Sequence, residues 1–172
     1  MIKWIFCAVL AISSALAGFC KASCYTERVR LLSRLTTALK YLEAEMSYRQ
    51  EPLPVLLARI GQNSGGVTGS FFFRTAELLT ARRASTLQEA WRQSIEEVLP
   101  ADILTEEDIT ILEELGYELG GTDMASQKAM FAHCFCGLAA QLEAAKAAQH
   151  VLSRMYRGLG ISAGVLAAVL LL

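Results

Sequence analysis

Three places in this sequence carry residues of the kind that bind metals, move protons or cradle phosphates. His133, Cys134 and Cys136 offer an imidazole and two thiols; Glu43 and Glu45 offer two carboxylates; Gly158 to Ala163, GLGISA, matches the G-x-G-x-x-A pattern of dinucleotide-binding turns. Spacing decides against all three. Residues two apart on a helix diverge by about 200°, so Cys134 and Cys136 leave their helix in different directions, as do Glu43 and Glu45. There is no Cys-x-x-Cys or His-Glu-x-x-His to complete a metal site. The dinucleotide pattern needs a strand before it and an acid about twenty residues after it. Here a helical pattern precedes it, and Gly160 and Gly164 read instead as small residues that let membrane helices approach closely. The two histidines, His133 and His150, have no nucleophile motif beside them, and there is no P-loop. The expectation is a protein without catalytic residues, metal or cofactor, and not an enzyme.

The elements that surround these residues are helical throughout. Val29, Leu32, Leu35, Leu39, Leu42 and Met46 recur at spacings of three and four, the stripe of one long helix. QEPLP ends it, because the residue before a proline is pushed out of the helical region. Pro54 suits the first turn of a short helix through Ile60, with Gly61 as its C-terminal cap. NSGGVTG reads as a loop, and a helix bearing Phe71, Phe72, Phe73, Leu78 and Leu79 follows. Thr86-Leu87-Gln88-Glu89 is a capping box that opens a helix burying Leu87, Trp91, Ile95 and Val98 and closed by Pro100. Thr105 caps the next, with Glu106, Glu107 and Asp108 near its positive end. After LGG, Asp123 caps a last helix that runs unbroken from Met124. No strand pattern, repeat or low-complexity tract interrupts this order.

Hydrophobic residues make up 53% of the chain, and the excess lies at its ends: Trp4 to Cys20 and Gly158 to Leu172 carry no charge. As helices these runs reach roughly 26 and 22 Å, slightly short of a bilayer core of about 30 Å, a mismatch of modest cost. The expected organisation is all-α: an N-terminal transmembrane helix over residues 1–23, a small antiparallel bundle of about six helices over 24–155, and a C-terminal transmembrane helix over 156–172. Lys21, Arg28, Arg30, Arg34 and Lys40 follow the first run, and Lys146, Arg154 and Arg157 precede the last. Both flanks place the middle in the cytoplasm. The first run, with Lys3 before it and Ala15-Leu16-Ala17 within it, also fits a cleaved signal peptide. The alternative expectation is therefore an exported helical binding domain. Five cysteines, two of them inside the apolar run, make no disulfide framework for such a domain.

A net charge of −1 hides a segregation: Glu96 to Asp123 holds ten acids and no Lys or Arg, whereas Lys21 to Arg92 holds eleven bases against six acids. Those bases are spread along helices without interleaved exposed aromatics, which argues against nucleic-acid binding. Glu106 to Asp108 and Asp123 have helix ends to serve. Glu113, Glu114 and Glu118 do not, and they are the candidate surface for a basic partner.

Four segments occur in a telling order: LEAEMSYRQEPLP (Leu42 to Pro54), AW (Ala90-Trp91), LGYELGGTDMASQ (Leu115 to Gln127) and YRGLGISAGVLAAVLLL (Tyr156 to Leu172). The arrangement resembles the stage III sporulation protein AB family of endospore-forming bacteria, over nearly the whole chain. The pattern is carried here by Leu42, Glu43, Glu45, Tyr48, Pro52, Leu53, Trp91, Leu115, Gly116, Leu119, Gly120, Asp123, Gln127, Tyr156 and Gly160. Met46 stands where the family often has Ile, an apolar exchange. The resemblance implies a soluble domain similar to the cytoplasmic helical domain of the type II secretion F-type platform protein. It also implies a place in the channel complex between mother cell and forespore, in the mother-cell membrane. The implied partners are other stage III proteins, above all the secretion-type ATPase stage III sporulation protein AA, and the lipid bilayer. A homo-oligomer is compatible with it.

Overall fold

The computed structural model describes the backbone of residues 2–48, 51–119 and 124–169, and the side chains of 23–48, 51–119 and 127–151. Six helices follow one another: α1 (Ile2–Tyr48), α2 (Leu53–Ser64), α3 (Gly66–Thr80), α4 (Leu87–Val98), α5 (Glu106–Leu119) and α6 (Met124–Val169), with no strand among the described residues. The chain divides into two compact units, residues 30–142 and residues 1–29 with 143–172.

The core of the first unit is assembled from the expected stripes. Leu32, Leu35, Leu39 and Leu42 of α1 are wholly buried, as are Leu57 and Ile60 of α2, Phe71, Phe72 and Leu78 of α3, and Leu112 of α5. Each such side chain contributes about 1.5–3 kcal/mol by leaving water. Val29 and Met46, at the ends of the α1 stripe, are half-buried. Helix α6 adds Met130, Phe131, Cys134 and Leu138.

Trp91 is the centre of this core. Its ring meets Phe71 and Phe72 edge to face, with centroids 4.8 and 5.8 Å away, the arrangement favoured by aromatic quadrupoles. Its indole Nε1 donates to the Leu112 carbonyl at 2.8 Å, so the one polar atom of the buried ring is satisfied. Gly116, one turn beyond Leu112, lies directly under that ring: a Cβ there would collide with indole Cδ1 and Cγ. Trp91 and Gly116 are thus two halves of one contact between α4 and α5.

The α2–α3 junction differs from its expectation. Helix α2 runs through Gly61 to Ser64, and only Gly65 separates it from α3. Gly65 and Gly66 both have positive φ, +62° and +57°, which lets one helix end and the next begin almost without a loop. Gly61 is not a cap but a point of close approach. A Cβ on it would lie 2.8 Å from Phe73 N and 2.9 Å from Gly69 O, and one on Gly69 would lie 2.5 Å from Gly61 O. The two bare backbones are what allow α2 and α3 to touch.

The remaining helix ends follow local chemistry. Thr86 Oγ1 accepts from Glu89 N at 3.2 Å, and Glu89 reaches back to Ser85 N at 2.8 Å. Thr105 Oγ1 accepts from Asp108 N at 3.4 Å while Asp108 accepts from Thr105 N at 2.9 Å, a reciprocal cap whose carboxylate is buried. On α4, Trp91 and Ile95 are buried as expected, but Leu87 and Val98 are only half-buried. Helix α3 ends with Arg83 N donating to Leu78 O and Arg82 N to Leu79 O, the paired bonds of a Schellman motif. Arg82 takes the left-handed position, φ +52°, normally given to glycine.

In the second unit, Gln149 Nε2 donates to Thr26 Oγ1 at 3.1 Å, linking α6 to α1. Among the described residues, no helix is long and apolar enough to cross a membrane. The two apolar runs, Trp4 to Cys20 and Gly158 to Leu172, lie where side chains are not described.

Candidate functional site

The sequence motifs fall into two places within residues 30–142, a corner and an outward helix face. At the corner, the end of α1 meets α2. Leu42 is buried in the core, Glu43 is half-buried and Tyr48 is 90% exposed. Pro52 is the N-cap of α2 and Leu53 its first residue. Glu45 accepts from Arg59 Nη2 at 2.6 Å, and Glu51 lies 3.0 Å from the same nitrogen. One guanidinium on α2 therefore clamps two carboxylates that precede the proline turn. Glu43 and Glu45 do diverge, and the duty of Glu45 is to hold this corner. Arg59 was not legible as its partner, since the two lie fourteen residues apart.

The outward face belongs to α5. Its inner side holds Leu112, Leu115, Gly116 and Leu119, all buried. Glu113, Glu114 and Glu118 are all exposed, as the sequence pattern requires. Tyr117 stands among them, 67% exposed, three and four residues from Glu114 and Glu113 and so on the same face. Sequence reasoning passed over Tyr117, though its place one residue after the buried Gly116 was the signal. Glu118 is not free, because it takes part in a polar contact of its own.

Several other acids of the Glu96–Asp123 run are also occupied locally. Glu97 accepts from Arg74 Nε at 2.7 Å and from Gln93 at 2.8 Å. These bonds hold its carboxyl below the usual carboxylate range and push the Arg74 guanidinium up. Glu107 accepts from Gln141 of α6 at 2.9 Å, and Asp108 closes its cap. The acidic run is thus partly internal bonding and partly an open face.

His133 and Cys136 are exposed while Cys134 is buried, the divergence that their spacing implies. Burial, with the Glu114 charge adding to it, pushes the Cys134 thiol up to about 12, so it stays a neutral core side chain. Among the described residues, no three His, Cys, Asp or Glu side chains are placed to hold a metal ion. Gly158 to Ala163 lies inside α6, so a helix occupies the place of the strand and turn that a dinucleotide site needs. Gln127 is half-buried at the start of α6 and takes part in a polar contact. Gly120 and Asp123 lie outside the described residues, as do the surroundings of Tyr156, Gly160 and Gly164.

Comparison with known proteins agrees with this arrangement. The chain is 28% identical over 172 residues, the full length of both sequences, to stage III sporulation protein AB of Bacillus subtilis (strain 168). The structure superposes on a solved structure of stage III sporulation protein AB (SpoIIIAB) with a TM-score of 0.66 and 28% identity, covering 73% of this chain and 98% of that one. The family pattern of stage III sporulation protein AB matches residues 3–172. With Trp91, Gly116 and the Glu45 corner each in a defined structural role, and a match that runs from one apolar end to the other, the chain belongs to the stage III sporulation protein AB family.

Proposed function

We propose that this protein is a non-enzymatic membrane platform subunit of the sporulation complex between mother cell and forespore. Its two apolar ends anchor it, its helical unit faces the cytoplasm, and the outward face of α5 engages a basic surface on a cytoplasmic partner, the secretion-type ATPase stage III sporulation protein AA. Family membership over residues 3–172 is the observation that carries the reading. The α5 face supplies the physical means: Glu113 and Glu114 give steering and orientation, and exposed Tyr117 gives an aromatic anchor of the kind enriched where interfaces concentrate their energy.

The test uses the full chain in lipid nanodiscs and the purified ATPase. Reversal of Glu113 and Glu114 to lysine should weaken binding while leaving the melting temperature unchanged. Glu118 is left alone because its own contact would confuse the result. The wild-type interaction should also weaken as salt rises, since exposed charges are screened over about 8–10 Å at physiological ionic strength. Unchanged affinity and salt dependence in the double reversal would remove the α5 face from the reading.

A further inference from the structure

A polar opening of about 450 Å³ lies along the seam between α1 and the end of α2, within residues 30–142. That is inside the range of small-molecule pockets, about 300–1,000 Å³. None of its lining comes from α5. Leu32, Leu35, Leu39 and Leu42 turn one side of α1 to the core. Ser33, Arg34, Thr37 and Tyr41 stand exposed on the other side and line the opening, and Asn63 and Ser64 of α2 face them.

Arg34 is the one charged residue of this lining. Among the described residues no hydrogen bond or ion pair engages it. It is nevertheless placed: a Cβ on Gly66 would lie 3.3 Å from Arg34 Nη1, so the guanidinium stands over the α2–α3 junction. Helix ends do not account for it, because α2 ends and α3 begins at Gly65 and their dipoles offset. Neighbouring acids do not account for it either. Residues 61–70 carry no charge. Glu45 lies eleven positions from Arg34 on α1, and Glu77 eleven positions from Gly66 on α3, about 16 Å along the helix in each case. Each is held by another arginine, Arg59 and Arg74. Glu43 is nine positions from Arg34 and half a turn round the helix. Glu27 and Arg30, two turns and one turn before Arg34, have polar contacts of their own. Lys40 stands over the Phe135 ring, 5.8 Å from its centroid. An anion entering the opening meets one unengaged guanidinium and no carboxylate in the lining.

The groups around Arg34 narrow the chemistry. Thr37 already donates to Ser33 O at 2.9 Å. The hydroxyls of Ser33 and Ser64, the Asn63 amide and the Tyr41 phenol make no bond among the described residues. A guanidinium fork with several further donors suits the three terminal oxygens of a phosphate monoester better than the two of a carboxylate. Tyr41, 41% exposed, lies seven positions from Arg34, about 10 Å along α1, and supplies an aromatic ring at the far end.

We propose that this opening binds a small phosphate monoester that carries a flat ring, the chemistry of a nucleoside 5′-monophosphate. The phosphate sits on Arg34 with Ser33 and Ser64 donating to it. The ring lies against Tyr41, and Asn63 meets the sugar between them. The site is separate from the α5 face and does not depend on which protein that face engages.

The probes are AMP and GMP, beside adenosine and guanosine, titrated by calorimetry into the full chain in phosphatidylcholine nanodiscs. The tighter nucleotide should bind about tenfold better than its nucleoside. Arg34→Gln should remove that advantage. Tyr41→Ala should weaken nucleotide and nucleoside alike, whereas Tyr41→Phe should retain both. Lys40→Gln, a neighbouring cation outside the lining, should leave the affinity unchanged. Melting curves identify a variant that does not fold, and the other of Arg34→Gln and Tyr41→Ala then decides. Discs containing phosphatidic acid should bind the nucleotide equally well; loss of binding there would give the opening to a lipid headgroup and overturn the proposal. No binding of either nucleotide at about 1 mM, equal affinity for nucleotide and nucleoside, or an advantage that survives in folded Arg34→Gln would each overturn it as well.

Discussion

At the scale of residues, one geometry explains why Trp91 and Gly116 belong together. The indole needs a flat partner, and Gly116 is the residue on α5 that can pass beneath it. Trp91→Ala should cost about 3–5 kcal/mol through lost burial and the cavity left behind. Gly116→Ala adds a methyl group where indole atoms stand and should cost about 1–3 kcal/mol by overpacking. Thermal melts of the two single variants and the double variant check this. In Trp91→Ala the methyl at position 116 has room, so the double variant should be less destabilised than the sum of the singles. Additive costs would separate the two residues. Cysteine chemistry makes a second test at this scale. Cys134 is buried with its thiol pushed up to about 12, whereas Cys136 is exposed. Alkylation of the native full chain at neutral pH, read by peptide mass spectrometry, should modify Cys136 and spare Cys134 until the protein is unfolded.

At the scale of elements, what was legible in the sequence is what local chemistry decides. The Thr86–Glu89 and Thr105–Asp108 caps could be read because donor and acceptor lie three residues apart. The α1 stripe could be read because it repeats. Gly61 could not, since a glycine serves equally as a helix cap and as a point of contact. The deciding partner, Gly69, is fixed only when α2 and α3 fold together. The apparent loop NSGGVTG shrank to a single residue for the same reason: two positive-φ glycines turn the chain so sharply that no loop is needed. Arg59 was invisible as a clamp because its carboxylates come from across the turn. The α3 terminus offers the test for this scale. Arg82 holds a left-handed position that costs an L-residue about 1–2 kcal/mol, while glycine adopts it freely but loses more chain entropy on folding. Arg82→Gly should therefore stabilise the protein by about 0.5–1 kcal/mol, measured as a higher melting temperature. A lower one would mean that the Arg82 side chain contributes more than its backbone costs. The tie between α3 and α4 gives a pH readout. Arg74 lowers the Glu97 carboxyl, so the stability it adds is present above the normal carboxylate range and is lost as pH falls through the depressed value. Arg74→Gln should flatten that acid limb of the stability profile, by an amount reduced through solvent screening of this exposed pair.

At the scale of the whole molecule, the distribution of charge bears on topology. Lys21, Arg28, Arg30 and Arg34 follow the first apolar run, and Lys146, Arg154 and Arg157 precede the second. Positive residues beside a membrane helix stay on the cytoplasmic side. On the proposed reading of the two apolar runs as membrane helices, the flanks are far apart in sequence yet border the same middle segment, and each makes the same cytoplasmic assignment. The α5 reading depends on that assignment: a face for a cytoplasmic ATPase has no use on the opposite side of the membrane. Exposed Cys24 and Cys136 supply the measurement. In single-cysteine versions of the full chain, a membrane-impermeant maleimide should fail to label either residue in intact cells and should label both after the membrane is opened. A reporter active only outside the cytoplasm, fused after Leu172, should be active, whereas the same reporter inserted in the exposed turn at Ser85 should be silent. The charge flanks make a further demand. Replacing Arg154 and Arg157 with glutamine and placing two arginines after Leu172 should invert the second helix or leave it uninserted, and the fused reporter should then fall silent. Activity that persists through that exchange would show that the helical unit, and not the flanking charge, sets the orientation.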